Sequence, residues 1–207
     1  MSSIKLTADS NGGTFELKAP ATSSNTRVLT LPDTANGTVL TTTNPKAGNA
    51  VQVVQTVKKD TFSSSSFGSY TDIGPQGSIT ATKAGNKIMV EIMLNVSCND
   101  GRHIAFRLEK DGAALAGAEG DAAGSNRKQG CFHLYSEDQN GQHNQTNYFL
   151  KFLDTAADTS AHTYNIACID WGGQGSTTIV CNRSKADGDQ AYESRTISTV
   201  TLTEIAV

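Results

Sequence analysis

From residue 78 onward the chain alternates apolar and polar side chains in short runs. The stretch "NKIMVEIMLNV" is the most regular. It places Ile88, Val90, Ile92, Leu94 and Val96 on one side of an extended chain, and Met89 and Met93 on the other beside Glu91 and Asn95. Side chains alternate across a strand, so this unbroken apolar set predicts a central core strand. The outward methionines predict a second face that is not fully wet. In "RHIAFRLEKDG" the inward positions are Ile104, Phe106 and Leu108, the outward ones Arg107 and Glu109, and Lys110, Asp111 and Gly112 form a turn. "CFHLYS", "NYFLKFLD", "HTYNIACIDW", "STTIVCN" and "RTISTVTLTEIAV" follow at similar spacing, separated by long polar loops. Roughly eight or more short strands without amphipathic helices predict an all-β chain folded as a β-sandwich. Periodicity leaves its strand order open between a jelly roll and an immunoglobulin-like arrangement.

The final run carries an inconsistency. Ile197 and Ile205 share one parity while Val200 and Leu202 share the other. Either a bulge shifts the register or both faces of this strand are covered, as at a subunit interface.

The first 48 residues read differently. Short strands are expected near residues 4–8, 14–18, 27–31 and 38–41, with "SNGG" as hairpin-turn material. Ile4 and Leu6 share a face, as do Phe15 and Leu17, and Leu29 and Leu31. Few other bulky apolar residues are present. At about 25 cal/mol per Å² buried, so small a set does not offset chain entropy for an independent domain. Such a ribbon packs against its own copies, lies on a larger partner, or stays a flexible tail. "TTTNPKAGNA" marks the boundary, which gives residues 1–48 as an attachment or oligomerisation segment and 49–207 as the sandwich. Residues 51–57 then form a strand, and the Ser-rich "KKDTFSSSSFGSYTDIGPQG" a loop or weak edge strand.

Composition narrows the function classes. The chain is 37% hydrophobic, 6% aromatic and 18% charged, with a net charge of −3. No basic patch or Lys/Arg run supports nucleic-acid binding or attraction to an anionic membrane. "MSSIKLTADS" lacks the apolar core of a signal peptide, and no run approaches the roughly 20 apolar residues needed to cross a bilayer. Synthesis in a cytoplasm without membrane insertion is expected. Cys98, Cys131, Cys168 and Cys181 are widely spaced with no CxxC pair, so free, partly buried thiols are expected. The one geometric exception is Cys168 with Cys181, which flank "IDWGGQGSTTIV" and could face each other across a hairpin.

The opening "SIKLTADSNGGTFELKAPATSSNTRVLTLPDTANGTVLTT" resembles the first segment of structural proteins of tailed phages, particularly marine phages and cyanophages, in which an "LKAP…LTLPD…G" stretch precedes a variable β domain. The closing "STVTLTEIAV" resembles the last strand of the trimeric, tumour-necrosis-factor-like or C1q-like jelly rolls that cap phage fibres, and "YNIACIDWGG" is similar to a late strand of such domains. The resemblance implies a virion protein, a homotrimer with a jelly-roll head and an N-terminal attachment region. It implies the positions Ile4, Leu6, Phe15, Leu17, Leu29 and Leu31 for particle docking or trimerisation.

Candidate chemistry is sparse. The histidines at 103, 133, 143 and 162 show no HxH or HExxH spacing, and surface or satisfied polar roles suit them. A metal or anion site on a three-fold axis could use His103 or His133 from each copy. Glu137 and Asp138 stand in the solvated loop "YSEDQNGQHNQ", and "WGGQG" is followed by no helix that would make it a phosphate cradle. No catalytic residue, metal or cofactor is expected. Long loops on a rigid sandwich suit ligand presentation instead. Trp171 offers a platform for sugar stacking, or else a core or interface aromatic. Tyr135, Asn140, Gln142, His143, Asn144 and Gln145 offer groups that suit sugar hydroxyls, or simply solubility. Two readings follow: a tail fibre or adhesin binding a host surface glycan through these loops, and a capsid decoration protein whose N-terminal ribbon docks on the shell. A small hydrolytic spike enzyme is a third class.

Overall fold

A computed structural model describes residues 3–7, 10, 12–18, 21–22, 24, 45–65, 68–98, 102–121, 124–135, 143–170 and 178–207. The chain divides into two compact units, Met1–Val39 and Leu40–Val207.

The first unit contains an antiparallel pair, β1 (Ser3–Thr7) and β2 (Thr14–Lys18), whose register sets Ile4 opposite Leu17 and Leu6 opposite Phe15. These four positions therefore share one face of the ribbon. Leu6 is 57% exposed within the chain. The strands expected at 27–31 and 38–41, with Leu29 and Leu31, lie outside the described residues.

The second unit is a sandwich of two antiparallel sheets. Its strands are β3 (Ala50–Lys58), β4 (Phe62–Ser64), β5 (Thr71–Asp72), β6 (Gly77–Thr80), β7 (Lys87–Cys98), β8 (His103–Lys110), β9 (Ala113–Ala114), β10 (Phe132–Tyr135), β11 (Thr146–Thr155), β12 (Ala161–Asp170), β13 (Ile179–Cys181) and β14 (Ser198–Ile205). The first sheet runs β11–β7–β14–β3, with β13 and β4 continuing the β14 and β3 columns beyond Met93 of β7. The second runs β10–β8–β12–β6, with β9 also paired to β8 and β5 also paired to β12. Among the eight principal strands, every connection crosses between sheets except β8 to β10. That order is a jelly roll.

The core lies between the sheets. Ile88, Val90, Ile92, Leu94 and Val96 of β7 face Ile104, Phe106 and Leu108 of β8 and Tyr164, Ile166 and Cys168 of β12, all essentially inaccessible. The hairpin after β8 turns at Asp111 (φ 54°) and Gly112 (φ 77°). Two successive positive φ values make the type I′ turn that matches strand twist, which is why an Asp-Gly pair stands there.

Three expectations are corrected or resolved. Glu109 occupies the outer side of β8 but is only 5% exposed, because Arg107, with the Tyr70 ring against its guanidinium, and Asn165 close over it. The Arg107 guanidinium lies 3.8 Å from the Tyr70 ring centroid and donates to Glu109 Oε1 at 2.8 and 2.6 Å, while Asn165 donates to Glu109 Oε2 at 3.2 Å. Cys168 and Cys181 do not face each other across a hairpin: β12 pairs with β8, β13 with β7, and none of the four cysteines is in a disulfide. In β14 the buried parity runs unbroken from Ser198 to Ala206, so Ile197 and Ile205 both belong to the outer face. A register shift between Glu204 and Ile205 against β3 is present, and it leaves that parity intact.

Candidate functional site

The outer face of the second sheet holds a histidine cluster. The β10–β8 register sets Tyr135 opposite His103 and His133 opposite Ala105, so all four positions share one face. The His103 and Tyr135 rings stack at 4.2 Å with an interplanar angle of 15°. His103 Nδ1 and His133 Nε2 are 3.3 Å apart, one nitrogen donating to the other. Ala105 lacks a side chain long enough to fill the space between the rings. The result is a cavity of about 370 Å³ lined by His103, Ala105, His133 and, from the preceding loop, Arg127 and Lys128. Partial burial, and then the neighbouring His103, hold the His133 imidazole below its ordinary pKa. The Tyr148 hydroxyl donates to the His133 carbonyl at 2.7 Å and fixes the edge strand to its neighbour across the sandwich rim.

The other residues expected at a receptor site divide. His143 Nδ1 meets Glu193 Oε1 at 2.7 Å, and its ring stands edge-on to Tyr192 at 5.1 Å. Gln145 donates to the Ser194 carbonyl at 2.6 Å and accepts from Thr196 Oγ1 at 2.8 Å. Asn144 is exposed between them. This loop is thus tied to residues 193–196, while Tyr135 belongs with the histidine pair. Asn140, Gln142 and Trp171, like Glu137 and Asp138, lie outside the described residues. His162 is clamped between Asp111 Oδ2 at 2.6 Å and Asp158 Oδ1 at 3.2 Å, a satisfied surface role.

Sequence reading missed Arg127, Lys128, Tyr192 and Glu193. "SNRKQG" reads as a solvated loop, and only the fold brings it against β8 and β10. Among the described residues, no group of three or more His, Cys, Asp or Glu converges where a metal could sit.

The opposite face of the sandwich, the outer side of the first sheet, is organised in rows. Register aligns Phe149, Met93, Thr199 and Val57 across β11, β7, β14 and β3, and likewise Leu153, Met89, Thr203 and Val53. Between these apolar rows runs a polar one: Lys151 donates to Glu91 at 3.0 Å, and Gln55 to Thr201 at 2.8 Å. Phe149 is 64% exposed, Val53 61% and Leu153 48%. Beyond the Phe149 row, Asn147 donates to Asn95 at 3.1 Å and Asn95 to the Ile197 carbonyl at 2.6 Å. These polar side chains already have partners within the sheet, so covering the face would orphan few of them.

No protein-family model and no curated protein matches the chain. Among solved structures, one of infectious bursal disease virus, Gx strain, matches 98% of this chain and 46% of that chain, at 14% identity and a TM-score of 0.36. The chain thus spans less than half of that viral chain. At that score the likeness assigns neither family nor function.

Proposed function

We propose that this chain is a non-enzymatic virion structural protein that works as a homotrimer. In this reading the first sheet packs against its copies, the N-terminal ribbon docks on a tail or capsid protein, and the opposite side of the head meets a host surface glycan. The observation that carries it is the striped outer face of β11–β7–β14–β3. Two apolar rows with an internally paired polar row between them suit burial against neighbouring copies around a three-fold axis, each sheet meeting a different surface of the next copy, better than water. The phage-like opening segment supports placement on a particle, and the exposed Leu6 on the ribbon supports a docking role there. Trimerisation would multiply weak head–glycan contacts into lasting attachment.

Sedimentation velocity of the full chain tests the oligomer. A trimer is expected, and Phe149→Asp with Met93→Asp should give a folded monomer with unchanged circular dichroism. A wild-type monomer at micromolar concentration would remove the self-association reading. Gold-antibody labelling of intact particles separates the placements: label on the tail supports the adhesin, and label spread over the head supports a decoration protein, with the ribbon as the decisive site.

A further inference from the structure

We propose that the cavity between β8, β10 and residues 127–128 binds an oxyanion, a carboxylate or sulfate, carried on a sugar of an acidic host-surface polysaccharide. The inference rests on the reading of the head as a glycan-binding surface and names the chemistry it selects. Four features of the site converge on this ligand. Arg127 and Lys128 line the opening, and no described carboxylate forms an ion pair with either. Their hydrocarbon stems, Ala105 and the imidazoles give the cavity apolar walls, and the His103 ring, backed by Tyr135 outside the lining, makes one of them flat and suited to a sugar ring. A volume of about 370 Å³ falls in the range of small-molecule sites, and a bare inorganic anion would leave most of it empty.

The histidine pair adds the fourth feature. With Nδ1 and Nε2 at 3.3 Å, one proton serves both rings. A proton added to one ring leaves that bridge as an imidazolium–imidazole bond and creates a further N–H, for which an oxyanion is the fitting acceptor. Histidine takes up that proton between about pH 5 and 8, so oxyanion binding draws a proton in and strengthens as pH falls. The charged and titratable groups against the pair, among the described residues, are these. From β10 comes Tyr135, from the loop Arg127 and Lys128, and from β8 Arg107, which is held by Glu109 and Tyr70. Asp170, on the core-facing parity of β12, is buried and 4.0 Å from Arg102. A divalent cation is disfavoured by the same arginine and lysine.

The test is isothermal titration of the full-length protein in 50 mM salt with three probes: trigalacturonate, galactose 6-sulfate and neutral galactotriose. One or both acidic probes should bind, at least about fivefold more weakly at pH 8.0 than at pH 5.5, and the neutral trimer should not. His133→Gln, and separately Arg127→Gln with Lys128→Gln, should weaken binding about tenfold while the thermal transition is unchanged. Comparison of the acidic probes tells a carboxylate from a sulfate ligand. Binding of the neutral trimer equal to the acids, pH-independent affinity, unaltered binding by both variants, or no binding of either acid overturns the proposal. Acid binding with normal adsorption of His133→Gln particles supports the site and removes its receptor role. Absent binding, with adsorption lost on exchanging residues 137–146, overturns the site and leaves the glycan-binding head standing.

Discussion

Glu204 stands on the core-facing parity of the last strand and is fully buried, yet among the described residues no cation answers it. Its Oε1 accepts from the Thr82 amide at 2.8 Å, from Thr82 Oγ1 at 2.8 Å and from Asn86 Nδ2 at 2.6 Å, while Oε2 accepts from Gln52 Nε2 at 2.6 Å. Burial pushes the carboxyl pKa up, but donors from Asn86, Gln52 and Thr82 outweigh it and the net lies below the ordinary value. Glu204→Gln keeps the shape and changes one acceptor into a donor. Its carbonyl oxygen can still face Thr82 and Asn86, so its amide nitrogen meets Gln52 Nε2, which also donates to the Thr80 carbonyl at 2.7 Å. One donor is stranded and three charge-assisted bonds become neutral ones. At about 1.5–3 kcal/mol for a hydrogen bond to a charged group, and about half that for a neutral one, the three weakened bonds alone cost about 2–4 kcal/mol, a lower bound on the loss. For a unit of this size that corresponds to a melting temperature lower by about 5–15 °C. The pH dependence follows from the depressed pKa. Its contribution is full above the unfolded glutamate value of about 4.3 and is lost as pH falls through the lower folded value. The gap between wild type and Glu204→Gln should therefore shrink from pH 6 to pH 3. Urea denaturation followed by circular dichroism at fixed protein concentration measures it. A gap under about 0.5 kcal/mol at pH 7, or one that widens on acidification, would refute the reasoning.

Three further outcomes are expected. Asn182 is fully buried at φ 62°, donates to the Lys58 and Asp60 carbonyls at 2.9 Å each and accepts from Ser198 Oγ at 2.6 Å, so Asn182→Ala should cost about 3 kcal/mol in urea denaturation, and Asn182→Gly should recover only the backbone part. A Cβ on Gly130 would sit 2.4 Å from the Phe106 carbonyl oxygen, so Gly130→Ala should push the loop off β8, lower stability by about 1–3 kcal/mol and weaken the Cys131 N–H bond to Phe106, read as faster amide exchange. Burial pushes the Cys168 and Cys181 thiols up, and Cys131 up to about 11, so a disulfide reagent at pH 8 should leave Cys98, Cys168 and Cys181 untouched in the folded protein, react slowly with Cys131, and titrate four thiols in urea.

The sandwich is legible in the sequence because its strands are long enough for parity to speak. The alternation of β7 names its five aliphatic core residues, and the methionines at its odd positions mark the striped face from periodicity alone. Strand order is not legible, since alternation tells which face is buried and not which neighbour lies alongside. That is why Cys168 and Cys181, thirteen residues apart, stand as the one geometric exception to free thiols though their strands belong to different sheets. Glu109 and Asn165 look like solvated outward positions, because side chains that close over a strand leave no periodic signature in it. The histidine cavity is legible only in part. His103 and His133 stand out separately, but their pairing depends on the β8–β10 register, and Arg127 reaches it through a loop without pattern. Glu204 is hidden by its type: a carboxylate amid threonines reads as surface until its four donors, drawn from β3 and the turn before β7, are assembled.

The chain comes into the head along β3 and ends on β14, and the two strands are zipped at that corner by the Gly48 and Ala206 amides. This geometry decides how the head answers mechanical load. Tension applied between the two ends of the unit opens the β3–β14 ladder one bond at a time, and the strands peel apart under little force. Tension that arrives along residue 49 and leaves through the far rim runs parallel to β3. The ladder bonds lie across the strands, so they then share the load together and must fail in concert. A head hung from its first strand is weak as a clip and strong as a tether.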